Sequence, residues 1–279
     1  MKLTLGFSPC PNDTFIFDAL VNGKVDTGYI ELDVVMDDVQ ALNEWAQQGR
    51  LDVSKISYGA LPLLTGQYGV LSAGGALGKG VGPLLISGDD LQYLSPAECR
   101  EKVQQTPVAI PGQNTTAHFL FSQAFPGSEK KVFLRFDEVE EWVLSGNGIG
   151  VIIHENRFTY AQKGLHLVAD LGSIWEQQTG LPIPLGGIVA KRTLPQQVVQ
   201  GINNAIQKSL TLAWEKYPEL SDFVRSNAQE MQEHVMREHI QLYVNDFSMD
   251  MQQSGRRAIM RMMEVMAGKK LSKEESIFL

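Results

Sequence analysis

The residues best suited to chemistry begin at position 8, directly after a short apolar strand pattern at residues 3–6. Ser8-Pro9-Cys10-Pro11-Asn12-Asp13-Thr14 places hydroxyl, thiol, amide and carboxylate groups in one turn. Each proline fixes φ and removes a backbone donor, and the last three residues are types that begin helices. This pattern predicts a rigid polar turn at the carboxyl edge of an α/β sheet, where ligands bind. The alternative is a strand–turn–helix connection without chemistry.

A second polar turn, Gly112-Gln113-Asn114-Thr115-Thr116-Ala117, follows the strand pattern Val108–Ile110 and opens a helix. Backbone N–H groups at a helix N-terminus are unsatisfied and favour anions, and the two threonine hydroxyls add donors. We expect a site for a carboxylate or small phosphate here. The segment lacks the Gly-Lys-Ser/Thr ending of a nucleotide P-loop. The alternative is a threonine that only caps the helix.

A third group, Lys55-Ile56-Ser57, ends another strand pattern and offers a cation and a hydroxyl. Lys55 and Ser57 are two residues apart, so in a strand their side chains share one face. A solvated lysine is the alternative. Together with Thr115 and Thr116, this group predicts an anion-binding cleft.

His154 follows the apolar strand pattern Val151-Ile152-Ile153. A histidine at the carboxyl end of a buried parallel strand points into the ligand crevice and can act as a general base near neutral pH. A structural histidine is the alternative. In an extended strand Glu155 would point away from His154, so the two are not paired. The other histidines lack this placement: His118, His166, His234 and His239.

Composition excludes several classes of protein. The 279 residues carry 32 acidic and 24 basic side chains, a net charge of −8, without a basic run that could follow a nucleic-acid backbone. No apolar run is long enough to cross a membrane and no signal peptide is evident, so we expect a soluble cytoplasmic protein. Cys10 and Cys99 are too few for a zinc site, and Cys10 is expected to pack rather than react.

Strand and helix patterns alternate, which is typical of parallel sheet with crossover helices. Glycine-rich segments at Ser87-Gly88 and at residues 182–187 indicate that the chain crosses twice between two α/β lobes. We predict a discontinuous lobe of residues 1–87 with 187–279, a second lobe of residues 88–186, and a ligand cleft between them. The strand patterns lie at residues 30–35, 51–56, 84–86, 108–110, 132–136, 151–153, 165–168 and 187–190. The C-terminal segment, the last 60 or so residues, is expected to be wholly helical.

Five motifs together resemble the 1,4-dihydroxy-6-naphthoate synthases of the futalosine route to menaquinone. They are the turn at residues 8–15, Lys55-Ile56-Ser57, Thr115-Thr116-Ala117, Val151-Ile152-Ile153-His154-Glu155 and Gly180-Leu181-Pro182-Ile183-Pro184-Leu185-Gly186-Gly187. The resemblance covers residues 1 to about 190 in motifs, with a compatible helical tail. It implies a type II periplasmic-binding-protein-like fold, with two mixed or parallel sheets flanked by helices.

The resemblance also implies a carbon–carbon lyase that converts cyclic dehypoxanthine futalosine to 1,4-dihydroxy-6-naphthoate and dihydroxyacetone. His154 would accept a proton, while Lys55, Ile56, Ser57, Thr115 and Thr116 would hold the carboxylate-bearing substrate. Asn12 and Asp13 are further candidates for substrate binding. No metal or organic cofactor is implied.

The chain departs from the family pattern at Gly146-Asn147-Gly148-Ile149, where an acidic residue is expected, so no carboxylate is assigned to support His154. Two alternatives stay open. One is chorismate dehydration on the same fold, and the other is a small-anion binding protein without chemistry. The chain is expected to be a monomer or a homodimer.

Overall fold

The computed structural model describes residues 1–229, 232–271 and 277–279. The chain divides into two compact units, one of Met1–Gly78 with Pro184–Leu279 and one of Lys79–Ile183. These bounds differ from the predicted boundaries between the two lobes, at 87/88 and 186/187. The first boundary differs because residues 84–87 pair with strands of the second unit.

Strands occur at each position where the sequence predicts one, with bounds shifted by a few residues. Two very short strands, β4 and β5, carry no alternating pattern and were not predicted. The strands are β1 (Lys2–Phe7), β2 (Glu31–Met36), β3 (Val53–Ser57), β4 (Tyr68–Val70), β5 (Ala76–Gly78), β6 (Leu84–Ser87), β7 (Val108–Pro111), β8 (Lys131–Leu134), β9 (Ile149–Ile152), β10 (His166–Asp170) and β11 (Ile183–Lys191).

Helices separate most of these strands and make up most of the described C-terminal segment. The prediction of a wholly helical segment is wrong at its end, where Phe278 forms a parallel β-bridge with Val70. The helices are α1 (Pro11–Val21), α2 (Val39–Gln47), α3 (Leu61–Leu64), α4 (Pro96–Gln105), α5 (Thr116–Ala124), α6 (Val139–Leu144), α7 (Asn156–Thr159), α8 (Leu171–Thr179), α9 (Gln196–Lys216), α10 (Asp222–Asn227), α11 (Glu233–Tyr243), α12 (Asp246–Met249) and α13 (Gln252–Ala267).

The first unit is built on a mixed sheet of order β2-β1-β3-β11-β4, with β5 paired to β11. The strands β1, β2 and β3 are parallel, whereas β11 is antiparallel to β3 and β4. Helices α1 and α9 cover one face through a core that includes Phe7, Phe17 and Ile206. Since β1 and β3 run in the same direction, the turns after Phe7 and Ser57 lie at one edge of the sheet.

The second unit is built on a mixed sheet of order β10-β6-β9-β7-β8. The strands β7, β8 and β9 are parallel, while β6 is antiparallel to both β9 and β10. The alternation of strands and helices therefore predicts the parallel part of each sheet correctly and misses the reversed strands. A small core packs Ile86, Ala109, Val139 and Ile152 together.

Candidate functional site

The turn between β1 and α1 has the rigid geometry that its two prolines predict. Cys10 is extended (φ −61°, ψ 149°) and caps α1, and Pro11 occupies the first helical position, where a missing N–H costs nothing. Backbone N–H groups of Asp13 and Thr14 both donate to the Cys10 carbonyl. The helix therefore presents Asn12 and Asp13 in its first turn, at the carboxyl edge of the sheet.

A buried carboxylate, that of Asp13, is the centre of the site in the first unit. Its Oδ2 accepts hydrogen bonds from the Ser8 hydroxyl at 2.7 Å and the Ser8 backbone N–H at 3.2 Å. Its Oδ1 accepts from Asn12 Nδ2 at 2.8 Å and from Lys55 Nζ at 2.8 Å. Burying a charge is costly unless it is paired and hydrogen-bonded, and these four contacts meet that need.

Lys55 reaches this carboxylate from the middle of β3. Its side chain is only 7% exposed, so the alternative of a solvated lysine does not hold. Nζ also lies 3.5 Å from the Gly74 carbonyl. Ile56 is buried within the sheet opposite Gly187, and the Ser57 backbone N–H donates to Asn43 Oδ1 at 2.9 Å. The structure thus brings Asn12, Asp13 and Lys55 into one polar cluster, beside which Ile56 and Ser57 form the strand end.

The polar cluster contains a residue that the sequence analysis passed over. His239, on α11, is fully buried, and its Nε2 lies 2.9 Å from Asn12 Oδ1. Its ring also lies against the Tyr243 ring, with centroids 4.6 Å apart. A signal was present, because His239 follows Val235 by four residues and Met236 by three, which places it on the apolar face of the helix.

The second unit brings the two threonines and the histidine to one edge of its sheet. The parallel strands β7 and β9 end there, and Thr115-Thr116 follows β7 while His154 follows β9. Thr115 is the N-cap of α5: its hydroxyl donates to the Gly112 carbonyl at 2.9 Å and accepts from the His118 N–H at 3.2 Å. Capping was the alternative considered for this turn, and the substrate-binding role of Thr115 and Thr116 stays a prediction.

His154 has an unusual backbone conformation. Its φ is 57°, in the left-handed region that non-glycine residues seldom adopt and that is often found at functional sites. The imidazole contacts the Phe136 ring edge to face, with centroids 4.9 Å apart and planes inclined by 74°. Phe136 follows β8, so the ends of three parallel strands contribute to this edge.

The geometry expected at Glu155 was wrong. The strand β9 ends at Ile152, so His154 and Glu155 lie in a turn and not in extended backbone. Glu155 is buried and precedes α7 as its N-cap residue. Cys10 is buried against its neighbours, as a packing residue would be.

Two basic side chains near Thr115 have altered acidities. Burial lowers the pKa of His118; the hydrogen bond to the Gln113 carbonyl opposes this, and the nearby Lys131 ammonium adds to it. Burial also lowers the pKa of Lys131, whose Nζ lies 3.2 Å from His118 Nε2. His118 Nδ1 lies 2.7 Å from the Gln113 carbonyl oxygen, so it carries the hydrogen and Nε2 accepts from Lys131.

Residues 1–229, 232–271 and 277–279 contain neither a metal-binding cluster nor a membrane-spanning helix. Within them no three His, Cys, Asp or Glu side chains are grouped so as to hold a metal ion. No helix in the same ranges has the length and apolar character needed to span a membrane.

Comparison with protein families gives a match over nearly the whole chain. Residues 3–268 match a family described as menaquinone biosynthesis. The 1,4-dihydroxy-6-naphthoate synthase of Thermus thermophilus is 44% identical over 261 residues, which is 93% of this chain and 92% of that protein. The enzyme of the same name from Streptomyces coelicolor is 40% identical over 263 residues, 92% of this chain and 90% of its own.

Solved structures with the same fold are also found. A protein from Archaeoglobus fulgidus superposes with a TM-score of 0.88 at 30% identity, covering 96% of this chain and 97% of that one. A Candida albicans protein described as having the generic periplasmic binding protein fold gives a TM-score of 0.70 at 10% identity, covering 99% and 93% of the two chains. The predicted periplasmic-binding-protein-like α/β fold is confirmed.

Proposed function

The chain belongs to the menaquinone biosynthesis family, and we propose that its own reaction is the one for which its curated relatives are named. It is a carbon–carbon lyase that releases 1,4-dihydroxy-6-naphthoate and dihydroxyacetone from cyclic dehypoxanthine futalosine. The gain of an aromatic ring in the naphthoate product favours cleavage of the carbon–carbon bond. The chemistry then requires a group that accepts a proton and groups that hold a carboxylate-bearing substrate.

The observation that carries this proposal is the conformation of His154. A left-handed backbone costs a non-glycine residue about 1–2 kcal/mol, and such strain persists where a side chain must be aimed in one direction. The contact with Phe136 further limits rotation of the imidazole. A half-buried histidine held in this way is suited to accept a proton near neutral pH. We assign it the role of general base.

Substrate binding falls to the groups predicted for it. In the first unit these are Asn12, Asp13, Lys55, Ile56 and Ser57, where the Lys55 ammonium supplies positive charge and Asp13 fixes its position. In the second unit the N-terminus of α5 at Thr115 and Thr116 offers backbone N–H groups to an anion, while the Thr115 hydroxyl donates its hydrogen to the Gly112 carbonyl. Each set lies at the carboxyl edge of its own sheet.

Three coarser expectations are part of the same proposal. The partner is a small-molecule carboxylate and neither nucleic acid nor a membrane, the enzyme is a monomer or a homodimer, and it works in the cytoplasm. The acidic net charge of −8 supports the first. Light scattering coupled to size-exclusion chromatography measures the oligomeric state, and cell fractionation measures the location in the cell.

The test is turnover by the purified protein. Incubation with cyclic dehypoxanthine futalosine should release 1,4-dihydroxy-6-naphthoate and dihydroxyacetone in equal amounts. Mass spectrometry measures both products. A parallel incubation with chorismate should leave it unchanged. The variant His154→Ala should bind the cyclic substrate in calorimetry while releasing no more than about 1% of the wild-type rate.

Three results would contradict the proposal in different ways. Loss of water from chorismate would point to the dehydratase alternative. Tight binding of the cyclic substrate by the wild type without any product would point to a binding protein. Naphthoate release by a folded His154→Ala variant at the wild-type rate would keep the reaction and remove the assigned base.

A further inference from the structure

Three segments distant in the sequence are joined by one chain of hydrogen bonds in the first unit. His239 Nε2 contacts Asn12 Oδ1 at 2.9 Å, Asn12 Nδ2 contacts Asp13 Oδ1 at 2.8 Å, and Asp13 Oδ1 contacts Lys55 Nζ at 2.8 Å. Every member is at least nine-tenths buried. Each link therefore operates with little competition from water.

The direction of every link follows from the chemistry of its ends. An ionised carboxylate only accepts hydrogen bonds, so the Asn12 atom beside Asp13 is the amide nitrogen. The other amide atom, which faces His239, is then the carbonyl oxygen, which also only accepts. His239 Nε2 must therefore carry a hydrogen and donate it to Asn12. A rotated Asn12 amide would place oxygen against oxygen at Asp13.

We propose that His239 is a positioning residue of this site: its Nε2–H fixes the Asn12 amide, and through Asn12 and Asp13 it holds the Lys55 ammonium where the substrate binds. The expected effect on KM rests on the proposed function, whereas the effect on the position of the Lys55 ammonium rests on the geometry alone. His239 itself touches no reacting atom, and its role is to limit the orientations of the residues that do.

Removal of the histidine donor would leave a buried carbonyl oxygen without its partner. Asn12 could then rotate, one of the four hydrogen bonds to Asp13 would weaken, and the Lys55 ammonium would lose its fixed position. Lys55 and Asn12 are assigned to substrate binding in the ground state. The expected kinetic effect is therefore on KM, with a smaller effect on kcat.

The experiment compares two substitutions at one position. His239→Gln keeps an N–H donor at about the reach of Nε2, whereas His239→Leu removes the donor and fills a similar volume. His234→Leu is the matched control, since His234 lies exposed on the same helix. We expect His239→Leu to raise KM for the cyclic substrate by roughly 10-fold, the equivalent of about 1.4 kcal/mol. His239→Gln should recover most of that loss, and His234→Leu should match the wild type.

A second readout does not depend on activity. The Lys55 ammonium, assigned by its loss in Lys55→Met, should give a nitrogen-15 signal protected from exchange with water in the wild type. That signal should disappear in His239→Leu and persist in His239→Gln and His234→Leu. If the wild type lacks turnover, the proposed function fails while this signal still tests the role of His239. If His239→Leu does not fold, two other variants test the role of His239. The Lys55 signal should persist in His239→Gln and disappear in Asn12→Ala.

The proposal is overturned by either of two results. One is a folded His239→Leu protein with reduced stability but wild-type KM and a retained Lys55 signal, which would make His239 a packing residue only. The other is a His239→Gln protein that is folded yet as impaired in both readouts as His239→Leu, because the donor would then not be the group that matters.

Discussion

The Nζ of Lys55 lies 2.8 Å from Oδ1 of Asp13, and the two side chains are 7% and 2% exposed. Loss of one partner from such a pair leaves an uncompensated charge away from water. Lys55→Met should therefore lower the free energy of unfolding by about 3–5 kcal/mol. The double variant Lys55→Met/Asp13→Asn should recover part of this loss, because it removes the remaining charge. Urea denaturation measures both.

Lys191 and Asp52 provide the control for this prediction. Their ion pair is 3.0 Å long, but each side chain is 25% exposed. Water can replace the lost partner there, so Lys191→Met should cost no more than about 1 kcal/mol. Equal losses from the two lysine substitutions would show that burial does not set the strength of the Lys55 pair.

Because the backbone at His154 is left-handed, glycine and alanine substitutions there should have the same effect on turnover and different effects on stability. His154→Gly and His154→Ala should both reduce turnover by roughly 100-fold or more. Glycine adopts a φ of 57° without strain, so the glycine variant should be more stable than the alanine variant by about 1 kcal/mol. Thermal unfolding and product release measure the two effects.

Gln252, with a φ of 55°, is the matched position for this comparison. Gln252→Gly should likewise be more stable than Gln252→Ala, and neither change should affect turnover. A His154→Ala variant at least as stable as His154→Gly would argue against strain at this residue.

The two threonines at the start of α5, Thr115 at the N-cap and Thr116 at the first helical position, should respond differently to substitution. Thr115 caps the helix through its hydroxyl, so Thr115→Ala should lower the free energy of unfolding by about 1 kcal/mol. Thr116→Val keeps the shape of the side chain and removes one hydroxyl. If Thr116 binds the substrate carboxylate in the ground state, as we propose, this change should raise KM with a smaller change in kcat.

Ser95, which caps α4 in the same unit, is the control for a cap remote from the site. Ser95→Ala should lower stability without changing KM. An unchanged KM in Thr116→Val would count against placing the substrate carboxylate at the N-terminus of α5.

The lowered pKa of His118 makes stability depend on pH. Burial disfavours the charged imidazole in the folded protein, so the unfolded chain takes up this proton at a higher pH, near the ordinary value of 6.5. The contribution of His118 to stability is therefore complete above pH 6.5 and is lost as the pH falls through the lowered folded-state pKa. His118→Gln should show a shallower loss of stability on acidification than the wild type. His234→Gln, at an exposed position, should keep the wild-type slope, and a His118→Gln slope equal to it would sink the prediction.

Tyr58 has a fully buried hydroxyl with no hydrogen-bond partner among the described residues, and burial raises the pKa of this phenol far above its usual value. Removal of an unsatisfied hydroxyl costs nothing in hydrogen bonding, so Tyr58→Phe should be as stable as the wild type or more so. A loss of more than about 1 kcal/mol in urea denaturation would reveal a partner for the hydroxyl.

Gly187 faces the same hydroxyl and gives a second test of the packing. A Cβ at Gly187 would lie 2.2 Å from Tyr58 Oη and 2.6 Å from Cζ. Gly187→Ala should therefore be strongly destabilising. Adding Tyr58→Phe removes the nearer of these two atoms and should restore only part of the stability, which urea denaturation of the double variant measures.

Local features of the fold could be predicted from the sequence because they depend on near neighbours. Asp38 caps α2 and the glycine-threonine turn opens α5, as the residue types indicate. The antiparallel directions of β6 and β11 could not be predicted, since they depend on pairing with strands far along the chain. The burial of His239 could have been predicted from its place on the apolar face of α11, but its partner could not, because Asn12 is 227 residues away. The left-handed φ of His154 could not be predicted from its residue type.

The first unit is completed only by residues 184–279, while the second unit is one continuous segment. During synthesis, residues 79–183 can fold as soon as they leave the ribosome, whereas β3 must wait for its neighbour β11. The wait is longer for the polar cluster at Asn12, because His239 emerges more than 220 residues after it. A nascent chain stalled before α11 would therefore carry a folded second unit and an exposed, incomplete first one, the state in which chaperones would meet this protein.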